Sequence, residues 1–242
     1  MSQRVILKDM QKPQQFTGKV AEHILINNKF QYLHIELTHP FRLEFEAGQY
    51  VSFAIGGGER RSYSIASEPQ IDSSIEVCVD VTPEGKGSSF LKSLKPGDEV
   101  SFLAPLGKFK VEDESKLLFV ATGSGITPVR SMILDLLEYK KDPRQIQLHW
   151  GLRHVDDMFW VEHFRKFHEY YDNFTFHLTL SQPPEHWPLC AGYVTDCVRD
   201  ELTLDSSWGV YLCGNKFMID DATKLVTKMG VPPEQIHTEK FF

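Results

Sequence analysis

The stretch TGSGITP, Thr122 to Pro128, has the residue types of an anion-holding loop. It follows the apolar run KLLFVA and opens the helical pattern VRSMILDLLEYKK. Pro128 falls near the first turn of that helix, where a missing N–H costs nothing. The free amides and positive dipole end of a helix start attract a diphosphate, and Gly123 and Gly125 allow a ligand to approach the backbone. Only the first half of GxGxxG is present, so an ordinary strand-to-helix turn stays open as a reading. A second candidate is GERRSYSIAS, Gly58 to Ser67. On a strand, Arg61 and Tyr63 share one face and Ser62 and Ser64 the other, which by itself also describes an outward-facing barrel strand. Cys213 ends a strand before a glycine, where a lone cysteine is usually a small buried hydrophobe. Glu239 lies near the last residue, and the chain closes on Phe241 and Phe242, two large apolar side chains that gain by docking. The histidines, among them His149, His154, His163, His168, His177 and His186, are dispersed, without HExxH or the Cys-His spacing of a zinc site. No metal is expected.

Two kinds of element must position these residues. From Phe16 to about Ala104 the chain reads as short β-rich runs, KVAEHILI, YLHIELTH, YVSFAI, RSYSIAS, SIEVCVDV and DEVSFLA, punctuated by Gly, Pro, Asn and Asp. That pattern predicts an antiparallel barrel, with one short helix at Ser88 to Ser93 before the turn KPGD. After Glu112, strand and helix alternate: KLLFVA, IQLHWG, FTFHLTL and WGVYLCG are separated by helix-length segments such as MFWVEHFRKFHEYY, YVTDCVRDEL and KFMIDDATKLVTKMG. Apolar strands joined by helices predict a parallel sheet with crossovers. The charged VEDESK has a linker's composition, which divides the chain into domains at 1–113 and 114–242.

Composition excludes several functions. With 26 basic against 33 acidic residues, a net charge of -7, the chain lacks the cationic excess that grips a phosphate backbone, and nucleic acid is not an expected partner. The amino-terminal MSQRVILKDMQKPQQ has no apolar signal region, and runs such as LLFVA are too short to span a bilayer. Cys78, Cys190, Cys197 and Cys213 are too few and too scattered for a disulfide scaffold and lack iron–sulfur spacing. The expectation is a protein of the reducing cytoplasm with no membrane span and no cluster of its own.

Several motifs, in one order along the chain, add a resemblance. RSYSIAS resembles the flavin motif RxYSxAS of the ferredoxin-NADP reductase superfamily. GKGSSFL, Gly85 to Leu91, is similar to that family's GxCSxFL, with Gly87 where cysteine often stands; GSGITP resembles its nucleotide loop, LCGNKFM its CGxxxM, and EKFF its acidic-x-aromatic ending. AGQY and PLGKF are weaker echoes. The resemblance implies a Greek-key flavin barrel of six strands followed by a Rossmann-like α/β nucleotide-binding domain, with FAD and a nicotinamide nucleotide as cofactors. It implies that Arg61 pairs with the flavin diphosphate, Tyr63 stacks on the isoalloxazine ring and Ser64 bonds near its N5. Ser88 and the amides of Lys86 and Gly87 complete the phosphate cradle, and Thr122, Gly123, Gly125 and Thr127 form the nucleotide loop. Cys213 lies near the nicotinamide, Glu239 joins Ser64 and Cys213 as an orienting or proton-handling group, and Phe241 covers the other flavin face, with Phe242 as an additional residue whose ring competes for that place.

The implied chemistry is hydride transfer from a reduced nicotinamide to flavin N5, with the protein supplying geometry and electrostatics. NADPH-using relatives commonly carry Ser-Arg after the third strand of the second domain. Ser181-Gln182 stands there, followed by PPEHWPLC without a basic residue, which favours NADH over NADPH, although Arg153 could supply a charge from the neighbouring strand. Electrons would then pass to a separate acceptor such as a ferredoxin, flavodoxin or oxygenase component. The alternatives are a flavin reductase that releases free reduced flavin and a non-catalytic module of the same fold.

Overall fold

The computed structural model describes residues 12–82 and 84–241. The amino-terminal stretch before Lys12 and the terminal Phe242 lie outside the described residues, so the readings placed on them have no structural counterpart.

The first half is a six-stranded antiparallel sheet curled into a nearly closed barrel. Its strands are β1 (Gln14–Leu25), β2 (Phe30–His39), β3 (Tyr50–Ala54), β4 (Arg60–Ser64), β5 (Ser74–Asp80) and β6 (Glu99–Leu106), in the order β4-β3-β6-β1-β2-β5. Period-two patterning drives it. In β1, Phe16, Gly18 and Val20 are buried while Thr17 and Lys19 face water, and the inward residues of the other strands complete a core with Phe53 and Phe102. Helix α1 (Lys86–Ser93) starts two residues earlier than expected, because Gly85 caps it: the Gly85 amide donates to Ser88 Oγ at 3.1 Å.

The second half is a parallel sheet of β7 (Lys116–Thr122), β8 (Gln145–Leu152), β9 (Phe174–Leu180), the two-residue β10 (Cys190–Ala191), β11 (Trp208–Gly214) and β12 (Ile236–Lys240). Their order is β10-β9-β8-β7-β11-β12, and every pairing is parallel. The central β7 is buried on both faces. Leu117, Phe119 and Ala121 enter a core with α2 (Ile126–Leu134) and α3 (Val161–Tyr170), whereas Leu118 and Val120 enter a second core with α4 (Val194–Glu201) and α5 (Lys216–Lys228). The chain moves outward from β7 to β9, then returns to the other side for β11. The strand order therefore reverses between β7 and β11, and it is at the carboxyl edge beside such a reversal that open α/β sheets form their ligand crevice. No helix among the described residues is long and apolar enough to cross a membrane.

Two readings of the sequence need correction. The charged segment VEDESK is anchored: the Glu114 carboxylate is buried, with Tyr211 Oη donating to it at 2.8 Å and His237 Nε2 at 2.6 Å from its other oxygen. Burial opposes its charge, but those two partners overcome the penalty and hold its pKa below the usual carboxylate range. Cys190 and Cys197 are also paired in a disulfide, a single link that the scatter of the four cysteines did not suggest. The turn from β10 into α4 folds back, and that bend is invisible in cysteine spacing.

The two halves meet along α2. Phe30, Ala47, Cys78 and Phe109 of the barrel share one apolar core with Ile126, Val129, Met132 and Ile133. Arg130 Nη1 donates to the Ala66 carbonyl at 2.7 Å and to Glu76 Oε2 at 2.8 Å, with its guanidinium 4.7 Å from the Trp160 ring centre. Ser131 Oγ donates to the Ser67 carbonyl at 2.6 Å. Replacing one member of a largely buried ion pair strands the other charge, so Arg130→Met is expected to destabilise the protein by roughly 2–4 kcal/mol. Urea unfolding followed by separate probes for each half checks this; the variant should also lose coincidence between the two transitions.

Candidate functional site

A cleft of about 1460 Å³ lies between the barrel and the carboxyl edge of the parallel sheet. Pockets for one drug-sized ligand run to about 1,000 Å³, so this volume suits something larger or two molecules together. Strand β4 brings Arg61, Tyr63 and Ser64 to its wall, α1 brings Lys86, Gly87 and Ser88, the β7 loop brings Thr122 and Gly123, and β12 with the residue after it brings Glu239 and Phe241.

At the barrel end the chemistry is cationic. Arg61 Nη2 donates to Glu59 Oε2 at 2.9 Å, and Lys86 Nζ pairs with the other oxygen of the same carboxylate. The hydrogen bonds from Lys86 and then Arg61 hold Glu59 below the usual carboxylate range. Glu59 escaped the sequence reading, although its place two residues before Arg61 was visible. It bridges the two cations as an anion would. The first-turn amides of α1 lie beside them, and by helix geometry such amides have no acceptor within the helix. A Cβ on Gly87 would meet the Tyr63 hydroxyl and the Arg61 stem, so a larger residue there would have to displace those two side chains. Ser88 is occupied in capping, its hydroxyl donating to the Gly85 carbonyl at 3.0 Å.

At the other end the groups are nearly neutral. Ser64 Oγ donates to Glu239 Oε1 at 3.1 Å, a contact that joins the barrel to the last strand. Burial pushes the Glu239 carboxyl up to about 7, with the Ser64 hydrogen bond pulling against it. Tyr63 is half-buried, and burial pushes its phenol up to about 12 despite the opposing Arg61 charge, so it stays an uncharged ring. Cys213 sits beside Glu239 in strand register, but its side chain is wholly buried in the core between sheet and α2 and does not line the cleft. That burial, and next the Glu239 charge, raise its pKa well above the ordinary thiol value.

The β7 loop divides its residues. Thr122 Oγ1 accepts from the amide and the side chain of Asn215, each at 3.3 Å, which couples the β7 and β11 loops at the crevice. Gly125 and Thr127 turn away from the cleft. A Cβ on Gly125 would overlap the Cys213 carbonyl, and Thr127 is buried with its hydroxyl donating to the Ser124 carbonyl at 2.7 Å and reaching the barrel's Cys78 carbonyl at 3.3 Å. Two cleft residues missed in the sequence are Tyr193, 73% exposed, and Phe217, 81% exposed. Rings so exposed at a cleft rim are the kind of surface a planar ligand covers, but their exposure cannot be read from residue order.

A cationic cradle beside a helix start, aromatic walls, and a second loop at a parallel-sheet crevice share this one cleft. Residues 17–111 match the oxidoreductase FAD-binding domain family and residues 119–224 the oxidoreductase NAD-binding domain family. The chain belongs to the ferredoxin reductase-like superfamily of FAD- and NAD-binding oxidoreductases. It is 33% identical to the reductase component DmpP of phenol 2-monooxygenase from Pseudomonas sp. over 94% of this chain and 65% of DmpP. It is 30% identical to one polypeptide of the Na(+)-translocating NADH-quinone reductase from Marinomonas sp. over 75% of this chain and 48% of that polypeptide. The crystal structure of the Amycolatopsis cytochrome P450 reductase GcoB superposes with a TM-score of 0.87 at 27% identity, covering 96% of this chain and 71% of GcoB. The chain thus spans between about half and two thirds of the length of these two curated relatives.

Two outcomes follow. Glu59→Gln frees Arg61 and Lys86 from an internal competitor, so flavin retention should tighten roughly two- to fivefold, as for an exposed ion pair; fluorescence titration with FAD reads it. Glu239, raised from 4.5 to about 7, is better accommodated when protonated. Its contribution to stability is whole below pH 4.5 and is lost as pH rises through 7. Glu239→Gln should therefore flatten the fall in melting temperature across that window.

Proposed function

We propose that this chain oxidises NADH at an FAD held in the cleft and passes the electrons to a separate acceptor protein. The observation that carries the reading is the Ser64 to Glu239 hydrogen bond, which places a hydroxyl and a near-neutral carboxyl from different domains at one point of a cleft walled by Tyr63 and Phe241. The donor set fits FAD. Arg61 and Lys86 match a diphosphate in charge, Gly87 lines the cleft between them, and Tyr63 and Phe241 offer ring faces to a planar system.

When bound there, the flavin supplies a hydride acceptor at N5 for the C4 hydrogen of a reduced nicotinamide. The Ser64 hydroxyl, which donates to Glu239 here, would turn toward a bound flavin ring once Glu239 is protonated and can donate in its place, and Glu239, with a pKa raised to about 7, would hold or release a proton beside it. Thr122, Gly123 and Asn215 form the mouth that receives the nucleotide, with Tyr193 and Phe217 as surfaces for its base. Cys213 acts here from below, as packing that fixes the end of β11. Ser181 and Arg153 both line the cleft, and the Ser-Gln pair in place of Ser-Arg supports NADH as the donor. DmpP is the reductase component of a monooxygenase, which supports an oxygenase-type protein as the acceptor.

The visible spectrum of the purified chain tests the reading. It should retain a flavin band through gel filtration and bleach at least about tenfold faster with NADH than with NADPH under anaerobic conditions. Arg61→Ala should weaken FAD binding by about tenfold or more, the loss of charge-assisted bonds, while leaving the bleaching rate at saturating FAD within about twofold. A colourless protein that turns over added flavin with saturation kinetics would reassign the flavin as substrate. A chain that neither binds flavin nor oxidises NADH with ferricyanide present would end the redox reading.

A further inference from the structure

The sheet face beneath α4 is not an ordinary core. Under α4 and α5, β7 and β11 contribute Leu118, Val120, Val210 and Leu212. On β8 and β9 the same face carries Gln147, His149, His177 and Thr179 instead, as the contact between Gly151, two residues past His149, and Val194 of α4 makes plain. His149 is wholly buried, and neither of its ring nitrogens has a hydrogen-bond partner. Gln147 Oε1 and Thr179 Oγ1 are buried without partners beside it. Buried polar atoms in native proteins are nearly always satisfied, so four orphans in one place call for a ligand.

The geometry offers one. His149 and His177 are register partners with rings stacked 4.4 Å apart at 12°. Cys197 descends from α4 so that its sulfur and a nitrogen of each histidine all lie within 4.8 Å of one another. Ligand atoms on a tetrahedral zinc are roughly 3.5 Å apart, given bonds of about 2.0–2.3 Å, so a small inward shift closes the set. Two imidazoles and a thiolate select zinc over magnesium or calcium, which prefer oxygen donors. Glu201, one turn beyond Cys197 on α4, adds a negative charge within reach of His177.

We propose that His149, His177 and Cys197 form a zinc site that opens when the Cys190–Cys197 disulfide is reduced. In the disulfide, the Cys197 sulfur has no thiolate to offer. A dithiol breaks the S–S bond by attack at the half-exposed Cys190, passes two electrons to the two cysteine sulfurs and leaves as its own cyclic disulfide. Zinc then binds Cys197 as thiolate, and the thiol proton goes to solvent. The site is separate from the cleft chemistry, although α4 begins beside Tyr193 and Val194 at the cleft rim.

The test uses the flavin-loaded chain, stripped of metal, reduced with dithiothreitol and desalted anaerobically. Titration with zinc chloride against a chromophoric chelator should give one zinc per reduced chain and binding about a hundredfold weaker in the disulfide form. Cys197→Ser and His149→Asn should each weaken zinc by about tenfold or more, the least expected when a ligand rather than its outer partner is lost. Cys190→Ser should bind one zinc with no reductant. For a reading that does not depend on variants folding, Co(II) added to the reduced chain should give tetrahedral bands to the red of the flavin absorption. No stoichiometric zinc in the reduced chain, undiminished binding in Cys197→Ser, or Co(II) bands absent from the reduced protein would each overturn the site.

Discussion

The site exists only while α2 lies against the barrel, because each of its halves comes from a different sheet. Ser64 belongs to β4 and Glu239 to β12, and they meet at 3.1 Å only if the two sheets keep their mutual setting. The sequence segments that build the cleft also build this seam. In RSYSIAS, Arg61, Tyr63 and Ser64 face the cleft, while the carbonyls of Ala66 and Ser67 receive Arg130 and Ser131 from α2. In TGSGITP, Thr122 and Gly123 face the cleft, while Thr127 reaches the Cys78 carbonyl of the barrel. Each motif is half cleft wall and half joint, so the position of one is tied to the position of the other through a helix rather than a loop.

The electrostatics of the cleft are graded to match. At the outer end, two permanent cations are bridged by Glu59, which costs little to displace because all three groups are exposed. At the inner end, burial leaves Tyr63 uncharged and brings Glu239 to about 7, where it can hold or release a proton. Charge that grips is kept in water, and charge that changes is kept out of it. The same desolvation that raises Glu239 would be costly for a guanidinium such as that of Arg61.

The barrel and the parallel sheet were legible because their strands obey simple rules, period two in β1 and buried runs such as that of β7. The cleft's Arg61, Tyr63, Ser64 and Glu239 were legible through order along the chain. What was hidden had tertiary causes. Gly125 and Thr127 look like ligand-loop residues, but the loop turns after Gly123, and their contacts are the Cys213 carbonyl and the barrel. Cys213 is placed at the right strand end, yet side-chain parity sends it into the core shared with Tyr211, a face that the run WGVYLCG does not disclose because both its faces are buried. His149 and His177 looked dispersed because parallel pairing across a crossover brings together residues 28 apart. No local spacing rule reaches that distance.

The close approach of the β7 and β11 loops explains why glycine recurs where the two domains' chemistry converges. Gly214 has φ of +142°, and a Cβ there would overlap Thr122 Oγ1, the atom that accepts from Asn215. Gly125 lies against the Cys213 carbonyl on the other side of the same crossing. Removing side chains at these two points lets the loops touch through backbone, and Asn215 then caps α5 by accepting from the Met218 amide at 2.8 Å. The Gly214 carbonyl, fixed by that contact, accepts from the Phe241 amide at 3.0 Å and so sets where the Phe241 ring enters the cleft. The placement of Phe241 is thus decided by a missing methyl group at the sheet's switch point, not by the terminal residues themselves.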